Sequence, residues 1–452
     1  MSATYISIDR KTPMLLPPDL REWVAPDDIV HFVIEAVEGL PTKHFAVNRR
    51  GTGSPQYPPQ TLLALLVYCY ANGLFSSRRI EAATYRDVAV RYLAANTHPD
   101  HSTICAFRRA NAEAIHRAFL HVLTLAREMK ILKVGTISVD GTQVTANASK
   151  YKNVSYDRAG ELERQLEMDV AELMRRAEAA DAADDDDEGQ RLPEDIARRE
   201  TLRANMVEAR RRLAERARKR AESERAAYEE KVARRAKRKG SAKGRHIKPP
   251  KDTPDGDEQI NLTDPDSRIM RKNKRSEYGQ RYNAQAAVDA DGTQMVLASR
   301  VTNCASDANE LVPAVKAVTE TLEKPSAALA DSAYANAEAF SELDKAEIEA
   351  YVAVSRDENH TQRRYEFRPA KEASTKTVTH PRLLDMKKKL QTDAGRRMYA
   401  KRKKTVEPVF GIIKHVMGFR QFLHRGLASV SAEWELVCLA YNVKRLFRLQ
   451  PA

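Results

Sequence analysis

The sequence predicts a multidomain α+β/α/β protein, with a helical N-terminal part followed by a mixed helix-and-sheet domain that a long helical insertion interrupts. Three observations predict it. Apolar residues recur at helical spacing up to about position 130; short β-rich runs appear at 134–145 and resume after 280; and residues 156–255 between them are highly charged and helical in pattern. A chain of 452 residues has room for two or three domains, and an apolar fraction of 42% allows a substantial core.

In the first part, Leu20, Trp23, Val24, Ile29, Phe32, Val33, Ala36 and Val37 stand at helix-like intervals. Pro58-Pro59 open a helix over 60–72, which Gly73 closes. A second helix over 78–94 leads through Asn96-Thr97-His98-Pro99 to a third, with Ser102 as the expected N-cap. The third helix carries Arg108 and Arg109 beside Phe107, so the pair has the outline of a DNA-reading helix-turn-helix, although most helix pairs of this kind are ordinary helical hairpins. Residues 1–130 are taken as this helical DNA-binding domain.

Val134 to Asp140 is a β-rich run that ends on an acid, and Gly141-Thr-Gln-Val-Thr continues the extended pattern. Leu162, Leu166, Val170 and Leu173, then Leu202, Met206, Ala209 and Leu213, step by threes and fours. With an acidic break at 181–189 between them, they predict an antiparallel helical hairpin within 156–255. Its basic end, 234–251, reads as a linker or a DNA-tracking arm. Strands over 282–288 and 294–301 flank the turn Asp291-Gly292. Next come a helix over 307–322 with Asp307 at its N-cap, a strand Ala327–Ala330 ending on Asp331, a helix over 335–345 and a strand over 348–354. Residues 356–390 are polar and basic, and helices over 396–417 and 432–449 close the chain. Without the insertion, this is the element order of a ribonuclease H-like domain over 131–155 and 256–452. In that fold the first strand, the fourth strand and a late helix bring acids to one sheet edge. Here those elements carry Asp140, Asp331 and Glu407.

The net charge of +13 favours polyanionic partners through counterion release and steering. The four cysteines are scattered without CxxC spacing, which excludes a disulfide framework and a structural zinc site. The start of the chain is polar and the longest apolar run, 61–70, is too short to span a membrane, so a cytoplasmic protein is expected. Three carboxylates from distant parts of a chain can hold a pair of Mg²⁺ ions about 3.5–4 Å apart, the arrangement that activates water or a 3′-hydroxyl against a phosphodiester. Asp264, Asp266, Asp289 and Asp291 fit loop and turn roles instead.

The segments Ile137-Ser-Val-Asp140-Gly-Thr, Ala330-Asp331-Ser-Ala-Tyr334 and Val406-Glu407-Pro-Val-Phe410-Gly-Ile-Ile-Lys414 resemble the three catalytic blocks of DDE transposases from bacterial insertion sequences. The group they resemble has a helical N-terminal domain and a Tyr-Arg-Glu-Lys signature, which Tyr399, Arg402, Glu407 and Lys414 match in order. Arg402 and Glu407 stand one residue further apart than in the signature, so either Arg402 or Lys403 takes the arginine's place. The segments 264–268, 282–289 and 434–446 are similar to further blocks of that family. The resemblance implies that Asp140, Asp331 and Glu407 are the catalytic and metal-binding residues, with two Mg²⁺ ions as cofactors and Mn²⁺ able to substitute. It implies that Tyr399, Arg402 or Lys403, and Lys414 grip DNA phosphates. The enzyme would nick the transposon ends, and the released 3′-hydroxyl would attack the other strand or target DNA. Implied partners are double-stranded DNA and further copies of the chain, as a homodimer or higher oligomer, at the bacterial nucleoid. On a continuous helix Lys403, Glu407 and Lys414 would share one face. Other readings of the same residues are a structure-specific nuclease or resolvase of that fold, a non-cutting DNA-binding regulator derived from a transposase, and a coiled-coil assembly factor.

Overall fold

The computed structural model describes residues 19–47, 56–183, 186–236, 247–271, 276–354 and 378–450. Its helical part comprises α1 (Ile29–Glu38), α2 (Pro59–Ala71), α3 (Ser77–Arg86), α4 (Val88–Leu93), α5 (His101–Ala110) and α6 (Ala112–Glu128). Proline at the start of α2 and Gly73 beyond its end, at φ +80°, delimit the helix as expected. The single helix expected over 78–94 is instead α3 and α4. Asp87 is extended and caps α4 through the Val90 amide at 3.0 Å, which ends one helix and starts the next. Asp100, and not Ser102, is the N-cap of α5: its Oδ1 accepts from the Thr103 amide at 2.8 Å and from the Ser102 hydroxyl at 2.5 Å.

The sheet domain begins with β1 (Thr136–Thr145). A two-stranded ladder of β2 (Asn153–Ser155) and β3 (Gln259–Asn261) then closes the base of the insertion, α7 (Tyr156–Ala183) and α8 (Asp186–Ala236). Because that ladder brings the two ends of the insertion together, the hairpin leaves the neighbouring sheet intact. Arg210 pairs with Glu163 at 2.6 Å and Arg203 with Glu167 at 2.9 Å, so the two helices run antiparallel. Val170, Leu173, Met206, Ala209 and Leu213 are buried along the seam, whereas Leu202 is 42% exposed and lies off it. Helix continues to Ala183 and resumes at Asp186, so most of the acidic run expected to break the hairpin is helical. Residues 184–185 and 237–246, the latter most of the expected basic arm, lie outside the described residues.

The remaining elements are β4 (Arg268–Met270), β5 (Gly279–Asp289), β6 (Val296–Thr302), α9 (Leu311–Thr321), β7 (Ala327–Ala330), α10 (Ala337–Lys345), β8 (Glu349–Val352), α11 (Pro381–Gln391), α12 (Asp393–Ala400), α13 (Val406–Gly411) and α14 (Leu427–Leu449). The sheet order is β4-β5-β1-β7-β8, with β6 also on β5. β1 pairs antiparallel with β5 and parallel with β7, which pairs parallel with β8. α14 is the wall shared by both parts of the molecule, and the helical segment and the sheet contribute to one continuous apolar core. Asn442 on α14 receives the Val296 amide at 2.8 Å and donates to its carbonyl at 2.7 Å, satisfying an edge position of β6. Among the described residues no helix is long and apolar enough to cross a membrane.

Candidate active site

β1 and β7 are parallel neighbours, with Ser138 opposite Leu329. Continuing that register by two residues puts Asp140 beside Asp331, at the carboxyl end of β7. Asp331 caps a 3₁₀ turn, Ser332–Tyr334, by accepting the Ala333 amide at 2.8 Å. Asp140 Oδ1 accepts the amide of Gly141 at 2.8 Å. Glu407 lies in the first turn of α13, whose Val406, Val409 and Phe410 are buried. Lys414 fastens the following π-helical turn, Ile412–Val416, to β1 by donating to Thr142 Oγ1 at 2.5 Å and to the Gln143 carbonyl at 2.7 Å.

All three acids meet at one cation. Arg402 Nη2 is 3.3 Å from Asp140 Oδ2 and 3.6 Å from Asp331 Oδ2, and its Nη1 is 3.0 Å from Glu407 Oε1. The continuous helix expected over 396–417 is absent. α12 ends at Ala400, a 3₁₀ turn spans Lys401–Lys404, and Thr405 (φ −113°, ψ −80°) breaks the path before α13. The tighter 3₁₀ winding and that break turn Arg402 inward and leave Lys403 exposed. The β5–β6 turn holds this segment in place: Lys401 Nζ is 2.7 Å from Asp291 Oδ1, and Gln294 Nε2 donates to the Lys404 carbonyl at 2.7 Å. Asp291 also accepts the Thr136 amide and Asp289 accepts the Thr293 amide, consistent with the turn roles expected of them. Tyr399 is half-buried in the last turn of α12, next to the Arg402 charge.

Two expectations are corrected. Arg108 is buried, because it lies on the same face of α5 as Ile104 and Phe107. Its Nη1 donates to the Tyr70 hydroxyl at 2.5 Å and to the Phe75 carbonyl at 3.0 Å, and Tyr70 in turn donates to Glu433 on α14 at 3.2 Å. Arg108 therefore ties the helical segment to α14 and presents no charge to DNA, while Arg109 is exposed. Asp307 is not the N-cap of α9, which begins at Leu311 after Glu310. Asp307 instead faces Asn283, Gln285 and Gly141. The sequence carried a signal for this cluster: Asn283 and Gln285 are polar residues two apart on a strand whose neighbours are apolar.

Burial is the main cause that raises the Asp140 carboxyl from 3.8 to about 7. Asp331 and Asp307 add to the rise, against the lowering effect of Arg402 and the Gly141 amide. A carboxyl whose folded-state pKa lies above its unfolded value stabilises the fold at low pH and withdraws that contribution as pH rises through the window from about 4 to about 7. Asp140→Asn removes this dependence. In metal-free buffer its stability advantage over wild type should grow across that window to on the order of 4 kcal/mol and then level off. Denaturant unfolding of both proteins between pH 4 and 8 measures it; a constant difference would contradict the buried, perturbed Asp140.

A family model described as "Transposase DDE domain" matches residues 356–447, and one described as "Transposase domain (DUF772)" matches residues 18–110. The two matches indicate a DDE transposase of an insertion-sequence family. The first match takes in Arg402, Glu407 and Lys414, and the second the helical segment up to α5. Asp140 and Asp331 lie between the matched regions. No curated protein and no solved structure matches the chain.

Proposed function

We propose that this transposase binds the terminal inverted repeats of an insertion sequence and catalyses metal-dependent strand cleavage and strand transfer. The observation that carries the reading is the convergence of Asp140, Asp331 and Glu407, from two parallel strands and a late helix, on the single guanidinium of Arg402. The order of strands and helices once the insertion is set aside supports a ribonuclease H-like domain. Among the described residues no three acids or imidazoles stand close enough to enclose a metal ion as they are. The acids are spread around Arg402, which serves as a stand-in cation: a hard divalent ion such as Mg²⁺ or Mn²⁺ suits this all-carboxylate set once the guanidinium moves away. Asp140, Asp331 and Glu407 would hold that metal, and when bound it supplies a nucleophile at neutral pH and charge stabilisation on the leaving oxygen.

The chain's own groups account for the rest. Arg402 carries a planar fork suited to a phosphate, and leaving the acids frees it for one. Lys414 holds α13 against β1, so its first duty is positioning Glu407, and phosphate contact falls to Arg402, the exposed Lys403 and Tyr399. In the helical segment Arg78, Arg79 and Arg86 on α3 and Arg109 on α5 are exposed, and we assign phosphate contact with the DNA ends to them, in place of Arg108. Synapsis of two ends requires at least two copies of the chain.

The test is incubation of the protein with DNA carrying the element's own terminal repeat. Nicking at the repeat boundary should appear with Mg²⁺ and disappear with a chelator. Cutting of branched DNA without regard to the repeat would instead indicate a structure-specific nuclease, and binding of the repeat without cutting in any divalent metal would indicate a regulator.

A further inference from the structure

Against the strand that carries Asp140 lies a polar cluster within an otherwise apolar sheet. Asn283 and Gln285 are buried on one face of β5, and Nδ2 of the first and Nε2 of the second each donate to Asp307 Oδ1 at 2.6 Å. Gln285 Nε2 also reaches Asn283 Oδ1 at 3.1 Å, and Gln285 Oε1 accepts the hydroxyl proton of the buried Tyr334. On one side, Gln285 is paired directly across from Gly141, the residue after Asp140. On the other, Tyr334 closes the 3₁₀ turn that Asp331 caps. The cluster fills the space a side chain on Gly141 would need: a Cβ there would overlap Gln285 Nε2 and stand 2.8 Å from Asp307 Oδ1.

We propose that Asp307 is a positioning residue for the reaction, anchoring Asn283 and Gln285 against Gly141 and, through Gln285 and Tyr334, setting the strand of Asp140 against the turn of Asp331. It rests on the reading of Asp140 and Asp331 as metal-holding acids. One carboxylate oxygen serves both amides, so removing it takes the shorter of two acceptors from each, leaving Asn283 Nδ2 only the Cys304 carbonyl at 3.2 Å and Gln285 Nε2 only Asn283 Oδ1 at 3.1 Å. The cheapest relief is rotation of Gln285, which releases Tyr334 and opens the space beside Gly141. Asparagine at 307 keeps a carbonyl oxygen for both amides, whereas alanine does not.

The experiment measures Mn²⁺ binding to the complex of protein and terminal-repeat DNA, by the electron paramagnetic resonance signal of free Mn²⁺, alongside Mg²⁺-dependent cleavage. Asp307→Ala should weaken Mn²⁺ binding by about tenfold or more and reduce cleavage to match, with repeat binding unchanged. Asp307→Asn should stay within about threefold of wild type, because the anchoring oxygen is retained. Tyr334→Phe removes only a hydroxyl and should shift Mn²⁺ binding in the same direction as Asp307→Ala, with a less than additive effect in the double variant. If Asp307→Ala fails to fold, Tyr334→Phe and Asp307→Asn still decide the matter. Unchanged Mn²⁺ binding in Asp307→Ala or Tyr334→Phe overturns the proposal, and so does an Asp307→Asn protein as impaired as the alanine variant, since that would make the charge the active feature. A wild type that neither binds Mn²⁺ nor cuts overturns the transposase-site reading itself, and the proposal with it.

Discussion

Asp140→Asn, Asp331→Asn and Glu407→Gln should each reduce strand cleavage by about a thousandfold or more while leaving binding to the terminal repeat intact. The amide substitutions keep the shape of each side chain and remove the charge on which a divalent ion depends. Asp140 lies on β1 and Asp331 directly follows its parallel neighbour β7, so the pairing of the two strands brings the acids to the same edge. Glu407 is the most exposed of the three, with a side chain 53% accessible, and its ion pair with Arg402 contributes little to stability. Its loss should therefore be visible in cleavage and nearly silent in thermal unfolding. Single-turnover cleavage and gel-shift binding on the same DNA separate the two effects. A Glu407→Gln protein that cuts at the wild-type rate would remove Glu407 from the triad, and loss of repeat binding in all three variants would point to misfolding.

Gly141→Ala, a change of one methyl group, should also abolish cleavage to within about a hundredth of the wild-type rate. The added Cβ would stand 2.8 Å from Asp307 Oδ1 and 2.9 Å from Asn283 Oδ1, besides overlapping the Gln285 amide. Each of these atoms is hydrogen-bonded within the network that ties the buried Asn283 and Gln285 of β5 to the half-buried Asp307 and to Tyr334. Either the network breaks or β1 shifts at the residue next to Asp140. A displacement of about 1 Å at a reacting centre is enough for a hundredfold loss, and the overpacking should cost about 1–3 kcal/mol of stability. Denaturant unfolding and cleavage measured together check both parts. A Gly141→Ala protein with normal cleavage would show that the site tolerates movement of β1.

Much of the architecture could be read from the sequence because it depends on local periodicity and turn chemistry. The β5–β6 hairpin at Asp291-Gly292, the strand that ends on Asp331, the paired helices of the insertion and the long closing helix all lie close to where residue pattern alone puts them. Asp140 and Asp331 stand on and just after the strands expected to carry them, although the resemblance of their segments to a family, and not the strands alone, singled them out, while Glu407 sits on a shorter helix than the pattern predicts. What the pattern could not decide is which way a side chain faces when non-local contacts choose. Arg108 and Arg109 are adjacent cations on one helix, and only the packing of α5 against Tyr70 and Phe75 sends one inward. Arg402 and Lys403 were equal candidates until the 3₁₀ turn, held by Asp291 and Gln294, aimed Arg402 at the acids. Asp307 has the residue type and the position of a helix cap, and only the two buried amides of a distant strand give it another role. Element type follows from spacing along the chain, whereas the direction of a charged side chain is set by which partner, far away in sequence, relieves the cost of burying it.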